Sequence, residues 1–522
     1  MSAPLYFRII VAVDEKFGIS KDGETPWKVP GDLLMFRKIT SSTSTVLSEM
    51  GCEELNVVGV SNVLIMGKNT FAKFPSSALK NTPRIFMVLT KSQETIPNAH
   101  HTARNLKEAL DACEKMRDKI ANIYVCGGAD LYNEALFHPC CKNVIVHYVR
   151  GDYNCDKKFT ALSYIGASKS TYSTNAQWDE LVCMMDLPSN TSLQYDEMIS
   201  YTIYTRNYNE TEYLIMLDKI ISTGRVKPNR TGISGISLFA QSLRYPLMEL
   251  DGSLLLPMMT TKKVSFKLVY SELIWFIAAG TTTDFLLANN NHIWDDNGSR
   301  EFLDKTNLNH YRVGELGPVY GHGWRHFGAA YITDNDKEVL NITEEQRQDM
   351  YKCDGIDQLA EVIDSIKTNP YSRRHIVTAW NPKQLKEMAL PPCHHTFTFN
   401  VEPDDEGKPS FLSCFVDMRS NDMFLGHPFN VTSYALLTHM IARICGLKGR
   451  ELVIGSVDAH LYTNHVQQTR EQLSRAPYGY PTIKFSKKIT DNPNLTIDDF
   501  TVDDITVVNY YSHPFIKAPM AV

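Results

Sequence analysis

The chain has no excess of positive charge and no long apolar run, and each absence excludes a class of protein. Lysine and arginine number 53 against 59 aspartates and glutamates, which gives a formal net charge of −6. A nucleic-acid-binding domain carries a basic face, so no specific nucleic-acid partner is expected. The longest later apolar stretch, KLVYSELIWFIAAG (267–280), contains Glu272 and is too short to cross a bilayer. No membrane association is therefore expected.

Paired cysteines and a secretion signal are also lacking. The 11 cysteines are an odd number without paired spacing, which argues against a disulfide framework and for a reducing compartment. The first residues, MSAPLYFRIIVAVDEKFG, are interrupted by Arg8 and followed directly by Asp14 and Glu15. This pattern favours a first strand over a signal peptide. A cytoplasmic location is expected, and an organelle is not excluded.

The length and the hydrophobic pattern predict two domains. A chain of 522 residues is too long for one core. Residues 1–206 alternate apolar runs with helical patterns, which predicts an α/β unit whose mainly parallel, twisted sheet is flanked by helices. After a polar junction at 207–211, residues 212–522 mix long helices with strands and predict an α+β domain. Within it, the polar stretch 332–353 is expected to be a surface insertion.

A candidate proton donor lies in the segment PWKVPGDLLMF (26–36). Asp32 and Phe36 are four residues apart and share one helix face, with Trp27 close by. A carboxyl group among such apolar side chains holds a proton more readily than one in water. The alternative is that Asp32 merely caps the N-terminus of the helix.

Two strand–turn–helix junctions are candidate phosphate sites. LIMGKNTF supplies Gly67 to Thr70, and IYVCGGADLY supplies Gly127 and Gly128 after a strand. Backbone amides at such turns bind phosphate, and glycine permits close backbone approach. Lys68 and Lys91 add charge for a further phosphate, which favours NADPH over NADH.

Together and in this order, these motifs resemble dihydrofolate reductase over residues 5–206. The resemblance implies that Asp32 helps to protonate the pterin while NADPH supplies hydride. It implies that Trp27, Phe36 and Arg84 bind folate, with Arg84 on the glutamate carboxylate. It also implies that NADPH is bound by Ala12, Ile19, Gly67, Lys68, Asn69, Thr70, Thr90, Lys91, Gly127, Gly128 and Tyr132.

Four residues depart from the reductase pattern, namely Ser20, Thr25, His147 and Lys157. A cationic His147 close to Asp32 would stabilise the carboxylate anion and weaken proton donation. An alternative for this half is therefore a non-catalytic scaffold that keeps the fold without the function.

The second half presents a cysteine between prolines and histidines, MALPPCHHTFTF (388–399). Pro391 and Pro392 fix the backbone before Cys393. Only the thiolate is nucleophilic, and either His394 or an arginine from elsewhere is a candidate to stabilise it. The metal-site and phosphatase alternatives lack the expected partner spacing, so no metal is expected. A Cys–His hydrolase fits the residue types, but no separate oxyanion-hole motif is present.

Arginines stand in distinctive settings elsewhere in this half: Arg230 in PNRTGISG, the pair Arg373 and Arg374, and Arg419 before Ser420. Four such guanidinium groups gathered on one phosphate would bind it tightly and would also stabilise a neighbouring thiolate.

The ordered motifs RTGISG, LGPVYGHGWRHFGA, SRRHIVTAWNP, MALPPCHH and RSNDMFLGHPFN resemble thymidylate synthase over residues 212–522. The resemblance implies reductive methylation of dUMP to dTMP by 5,10-methylenetetrahydrofolate through a Cys393 adduct. It implies catalytic roles for Glu272, Tyr320 and Asn297, a folate side at Trp294 and Gly426, and a C-terminal lid ending in MAV. It also implies that dUMP is bound by Arg230, His394, Arg419, Ser420, Asp422, Asn430, His460 and Tyr462, with Arg373 and Arg374 supplied by a second subunit of a homodimer.

The whole chain thus resembles the fused dihydrofolate reductase–thymidylate synthase of protozoa and plants. Departures in the second half are small: Met418 stands where glutamine is usual, Asn421 replaces a common cysteine, and His427 is unusual in LGHPFN.

Overall fold

The computed structural model describes residues 5–43, 59–74, 84–92, 95–163, 165, 178–185, 199–206, 210–229, 232–249 and 251–519. The chain divides into two compact units, Met1–Tyr208 and Asn209–Val522. Within the described residues, no helix combines the length and the apolar character needed to cross a membrane.

The first unit is built on an eight-stranded sheet. In spatial order its strands are His101–Ala103, Arg84–Leu89, Ser61–Gly67, Ile120–Val125, Phe7–Val13, Cys141–Tyr148, Ile199–Arg206 and Trp178–Met185. The first six are parallel to one another. Ile199–Arg206 pairs antiparallel with both Cys141–Tyr148 and Trp178–Met185. The accompanying helices are Pro30–Ser41, Lys68–Ala72, Leu106–Lys115 and Ala129–Leu136.

Local sequence explains these elements. Val63, Leu64 and Ile65 are completely buried, as expected for a central strand covered on both faces. The helix Leu106–Lys115 begins at Asn105, whose side chain accepts a hydrogen bond from Glu108 N at 2.9 Å. The parallel strands end along one edge of the sheet, so the turns that follow them lie close together, where ligands of such sheets bind.

The second unit contains a seven-stranded mixed sheet, which agrees with the predicted α+β class. Its main strands, in spatial order, are Arg225–Lys227, Gly235–Pro246, Lys448–Tyr462, Pro409–Met418, His394–Pro403 and Ile376–Thr378, and the short strand Asn421–Asp422 pairs with Lys448–Tyr462. A separate pair is formed by Thr482–Phe485 and Ile505–Val508. The helices are Thr211–Thr223, Phe266–Ile277, Asp284–Ala288, Arg300–Lys305, Tyr320–Arg325, Asp334–Leu340, Glu344–Asp354, Gln358–Thr368, Gly426–Ile444, Val466–Leu473 and Lys487–Thr490.

One face of this sheet packs on the core and the other is open in the single chain. Along Pro409–Met418, the side chains of Leu412, Cys414, Val416 and Met418 are buried, whereas Phe415 between them is 45% exposed. This alternation is typical of a strand with one face on the core and the other open. The buried face is covered by the helices Gly426–Ile444 and Thr211–Thr223, and the apolar helix Phe266–Ile277 packs on Gly426–Ile444.

The polar stretch 332–353 is helical and is anchored to the rest of the second unit by two buried side chains. It forms most of two helices, each opened by a threonine capping box. Tyr351 and Arg347 are buried, and Arg347 donates to Asp334 at 2.9 Å. The remaining side chains are mostly exposed, so the predicted surface position is confirmed.

Candidate active sites

The first unit encloses a pocket of about 1480 Å³ at the carboxyl edge of its parallel strands. Every residue predicted above for folate, NADPH and proton donation in this half lines the pocket. Ser20, Thr25 and Lys157, three of the departures from the reductase pattern, also line it. The sequence motifs were therefore sufficient to find the walls of this cavity.

Asp32 lies in the first turn of its helix, and its side chain does not cap it. The residue at the N-cap is Val29, and no side-chain cap is present there. Asp32 Oδ2 accepts from Trp27 Nε1 at 3.3 Å, and Oδ1 lies 3.1 Å from His147 Nδ1. The helix-cap interpretation is therefore wrong, and the carboxyl group is held towards the pocket.

The glycine turns meet as expected from the sheet topology. Gly67 N donates to Gly127 O at 2.9 Å, which brings the ends of two parallel strands together. Gly127 has a φ of +116°, and a Cβ there would lie 3.3 Å from the Tyr132 hydroxyl. Tyr132 is itself fixed by a 2.9 Å hydrogen bond to Ile10 O. The absence of side chains at these turns leaves room for a diphosphate against the backbone, so the residues present fit a dinucleotide.

Three more basic residues, Arg37, Lys73 and Arg104, line the pocket and were missed from the sequence. Arg104 follows the strand His101–Ala103 at the same sheet edge as Lys91, and Arg37 lies one turn beyond Leu33. The topology supplies the signal, because a basic residue directly after a parallel strand points to this edge. Arg84 is buried and donates to Thr40 Oγ1 at 3.2 Å, and burial, followed by the charge of Arg37, lowers its pKa.

In the second unit, the strand entry at Cys393 is joined closely to Arg419. The Arg419 guanidinium donates to Pro391 O at 2.8 Å and to Pro392 O at 2.9 Å. It also lies 3.7 Å from Cys393 Sγ, and Arg419 N donates to Cys393 O at 3.0 Å. The two prolines thus present the carbonyl oxygens that hold the arginine against the sulfur.

His394 does not supply the cation considered for the thiol. Burial, followed by the charge of His395, lowers the pKa of His394 to about 3, so its ring is neutral. Its Nδ1 lies 2.7 Å from the Tyr434 hydroxyl, and its ring stacks on Tyr320 at 4.0 Å. The Tyr320 hydroxyl in turn accepts from Cys393 N at 2.9 Å. Of the two cations proposed from sequence, only the arginine remains.

Glu272 is the acidic group of this site. Its Oε1 accepts from Trp294 Nε1 at 2.8 Å, and burial raises the pKa of Glu272 to about 7. The Trp294 and Tyr320 rings lie 6.1 Å apart, which places the carboxyl group beside the tyrosine. Asn297 is buried in the loop that follows Trp294. A carboxyl group that titrates near neutrality can give and take a proton under ordinary conditions.

The remaining predicted residues of this half lie along one segment and the strand beside it. Asp422 pairs with His460 on adjacent parallel strands, and its Oδ1 accepts from Phe424 N and Leu425 N at 2.9 and 3.1 Å.

The His460 and Tyr462 rings are 5.2 Å apart. Burial lowers the pKa of His460, but contacts with Asp458 and the charge of Asp422 together outweigh it, so the net shift of the pKa is upward. Two further residues follow: Gly426 begins the long helix, and Asn430 Nδ2 lies 3.9 Å from Met418 Sδ.

Comparisons with known proteins agree with this geometry. A family model described as thymidylate synthase matches residues 211–522, and one described as dihydrofolate reductase matches residues 52–180. A bifunctional dihydrofolate reductase-thymidylate synthase of Leishmania major is 34% identical over 99% of this chain and 95% of its own. Those of Paramecium tetraurelia and Arabidopsis thaliana are 34% and 35% identical over 99% of this chain and 99% and 96% of theirs.

The chain belongs to the bifunctional dihydrofolate reductase–thymidylate synthase family. Its activities are thymidylate synthesis and the reduction of dihydrofolate, and members of the two families use folates and NADPH. The alternative of an inert reductase-like scaffold is not favoured, because the similarity extends across both halves.

The predicted pair Arg373 and Arg374 is not brought to Cys393 within a single chain of this bifunctional enzyme. Arg373 and Arg374 are exposed at the far end of the strand pair. His375 O accepts from Phe399 N, so Arg374 lies beside Asn400. At about 3.3 Å per residue, this is roughly 20 Å from Cys393. Arg230 and the C-terminal residues 520–522 lie outside the described residues.

Metal-ligand geometry was a separate alternative for the cysteine. Within the described part of the chain, no group of three or more His, Cys, Asp or Glu side chains is arranged to hold a metal ion.

Proposed function

We propose that Cys393 is the nucleophile that adds to C6 of dUMP and that 5,10-methylenetetrahydrofolate is the one-carbon donor. The observation that carries this proposal is the 3.7 Å contact between the Cys393 sulfur and the Arg419 guanidinium. A guanidinium beside a thiol stabilises the thiolate, and it also attracts a phosphate monoester. Covalent addition makes C5 nucleophilic and divides a difficult substitution into easier steps.

Arg419 and Ser420 bind the phosphate in this proposal, together with Arg230. His460 and Tyr462 contact the ribose, whereas Asn430, Asp422 and the neutral His394 face the base. Glu272, whose pKa is raised to about 7 by burial, exchanges a proton at the base, and Tyr320 and Asn297 order the groups around it. Trp294 and Gly426 form the folate side of the pocket.

In the first unit, we propose that Asp32 directs a proton to the pterin of dihydrofolate. Trp27 and Phe36 enclose the ring, and Arg84 binds the glutamate carboxylate. NADPH, when bound, supplies the hydride, and the residues that would hold it are Ala12, Ile19, Gly67, Lys68, Asn69, Thr70, Thr90, Lys91, Gly127, Gly128 and Tyr132. The proposed chemistry draws on side chains and organic cofactors and assigns no metal ion.

We also propose a homodimer formed through the open face of the synthase sheet. Phe239, Phe415, Val457 and Ile376 are exposed apolar side chains on the strands of that sheet. Because Arg373 and Arg374 lie far from Cys393 in their own chain, they reach a phosphate only if a second copy brings them there. The boundary between the catalytic domains is placed at residues 207–211, and a cytoplasmic location is proposed because the odd number of cysteines without paired spacing suits a reducing compartment.

Subunit complementation tests this arrangement. Cys393→Ser and Arg374→Glu are each expected to abolish methylation of dUMP in a homodimer. Refolding the two variants together yields heterodimers in which one site holds both an intact Cys393 and an intact arginine pair, and about a quarter of the activity returns. Dihydrofolate reduction, which uses the other unit, serves as the control and stays unchanged. If the mixture remains inactive while both variants reduce dihydrofolate normally, the shared site is refuted.

A further inference from the structure

Asn421 and His427, two of the departures from the synthase pattern, contact each other at the two ends of the segment 421–427. This segment contains Asp422 and follows Ser420, which are both proposed to bind dUMP. Asn421 Nδ2 lies 2.9 Å from His427 Nδ1, and the same nitrogen donates to Ser456 Oγ at 2.8 Å. His427 Nε2 lies 2.6 Å from the Tyr245 hydroxyl. Asn421 and His427 are 0% and 1% exposed, so the pair lies fully within the core.

The hydrogen-bond directions in this pair follow from the chemistry of the groups. Burial, followed by the charge of Lys262, lowers the pKa of His427 to about 3, so the ring is neutral. The amide nitrogen of Asn421 can only donate, so Nδ1 accepts and Nε2 carries the proton that goes to Tyr245. The ring is also held by Tyr213, which stacks on it at 5.5 Å with an interplanar angle of 9°.

The position of the Asn421–His427 pair links it to the residues proposed to bind dUMP. Successive side chains of an extended strand point to opposite faces, so Asp422 faces away from the side on which Asn421 is buried, and Ser420 directly precedes Asn421 in the chain. His427 follows Gly426 directly at the start of the long helix. The hydrogen bond from Asn421 to His427 therefore joins the two ends of the segment 421–427 on its buried side.

Other contacts tie the middle of the same segment. The Tyr213 hydroxyl donates to Met423 O at 2.8 Å, and Asp422 Oδ1 accepts from Phe424 N and Leu425 N. Lys262 Nζ donates to Phe424 O. The Asn421–His427 contact joins the two ends of the segment to each other, whereas these other bonds act between its ends.

We propose that Asn421 and His427 form a positioning clamp that sets Ser420 and Asp422 for nucleotide binding. The clamp touches no substrate and acts through the two residues next to Asn421. It rests on the proposed function in that Ser420 and Asp422 are the residues assigned to dUMP.

The test breaks the clamp from either side. His427→Phe keeps an aromatic ring for Tyr213 but removes both nitrogens, and Asn421→Cys removes the amide. Each variant leaves a buried polar partner unmet, and the KM for dUMP is expected to rise roughly tenfold while kcat changes less than about threefold. If the two residues act as one clamp, the double variant shows the same rise, roughly tenfold, rather than a hundredfold product.

His439→Phe is the matched control for general loosening of the core. His439 lies in the same helix, is 1% exposed, and makes one hydrogen bond, to Leu255 O at 2.8 Å, away from the segment 421–427. This variant is expected to lower the melting temperature without changing the KM for dUMP. Dihydrofolate reduction by the same chains reports the amount of intact protein.

The clamp is refuted if either single variant keeps the normal KM for dUMP, if the two effects multiply, or if His439→Phe raises the KM equally. These outcomes are separate from a failure of the proposed shared site, because a clamp variant still methylates dUMP and is measured without mixing subunits.

Discussion

His147 Nδ1 lies 3.1 Å from Asp32 Oδ1, on the carboxyl group that faces the reductase pocket. Both residues are well covered, with side-chain exposures of 8% and 17%. The imidazole comes from the strand Cys141–Tyr148 and the carboxyl group from the helix Pro30–Ser41. A group that can carry positive charge therefore contacts the proposed proton donor directly.

Replacing this imidazole is expected to increase the reductase activity. In His147→Thr, the carboxyl group loses a partner that, when cationic, stabilises its anion and opposes proton transfer to the pterin. Turnover of dihydrofolate near neutral pH is expected to rise, by roughly threefold to tenfold. Steady-state NADPH oxidation measures this, with thymidylate synthesis as the control. An unchanged or lower turnover would show that the imidazole does not restrain Asp32.

Removing the carboxyl group has the opposite effect. Asp32→Asn keeps the size of the side chain and an oxygen for Trp27, but it cannot deliver a proton. Reduction of dihydrofolate at neutral pH is expected to fall by about a hundredfold or more. The loss is expected to shrink at acidic pH, where solvent supplies protonated substrate. A variant that stays near the wild-type rate at pH 7 contradicts the assignment of Asp32.

Replacing the sulfur of Cys393 by oxygen tests whether this residue is the nucleophile of the synthase. Cys393→Ser is expected to abolish methylation of dUMP, since a hydroxyl is a far weaker nucleophile than a thiolate. Binding of dUMP, followed by calorimetry, is expected to persist because Arg419 and Ser420 remain. Cys353→Ser alters an exposed thiol in the 332–353 stretch and serves as the matched control. Residual methylation by the first variant would point to a different nucleophile.

Glu272 predicts a pH dependence of stability. Its pKa is raised from 4.5 to about 7, so the folded chain keeps a proton that the unfolded chain releases. The contribution of Glu272 is therefore most favourable below about pH 4.5 and declines, by about 3 kcal/mol, as the pH rises to 7.

Glu272→Gln removes this titration while keeping an oxygen for Trp294 to donate to. In urea denaturation of the synthase unit, the loss of stability between pH 5 and pH 7 is expected to be smaller in the variant than in the wild type. Equal losses in the two proteins would mean that Glu272 does not hold a proton in the folded state at neutral pH.

The open face of the synthase sheet predicts which substitutions dissociate the dimer. Phe415→Asp places a charge on an apolar face that the proposed partner covers, so the dimer is expected to dissociate and synthase activity to fall with it. Sedimentation velocity measures the change. Val339→Asp alters another exposed apolar residue, in the helix Asp334–Leu340, and is expected to leave the dimer intact. A Phe415→Asp protein that sediments as wild type would place the interface elsewhere.

Local pattern was enough for much of the fold and for the reductase pocket. The strand runs and the glycine turns at Gly67 and Gly127 were visible in the sequence, because burial on both faces and close backbone approach each leave a residue signature. The helix-cap interpretation of Asp32 failed, because the partners of its side chain, Trp27 and His147, are set by long-range packing.

The amino-acid sequence by itself determined the fold classes, the two-part organisation and the family, since periodicity and ordered motifs are local properties of the chain. Only the tertiary structure decided that His394 is a neutral buried ring and that Arg419 is the cation at Cys393. It also decided that Asn421 meets His427. Charge states and pairings of this kind depend on which distant groups share a desolvated space, and no spacing along the sequence encodes that.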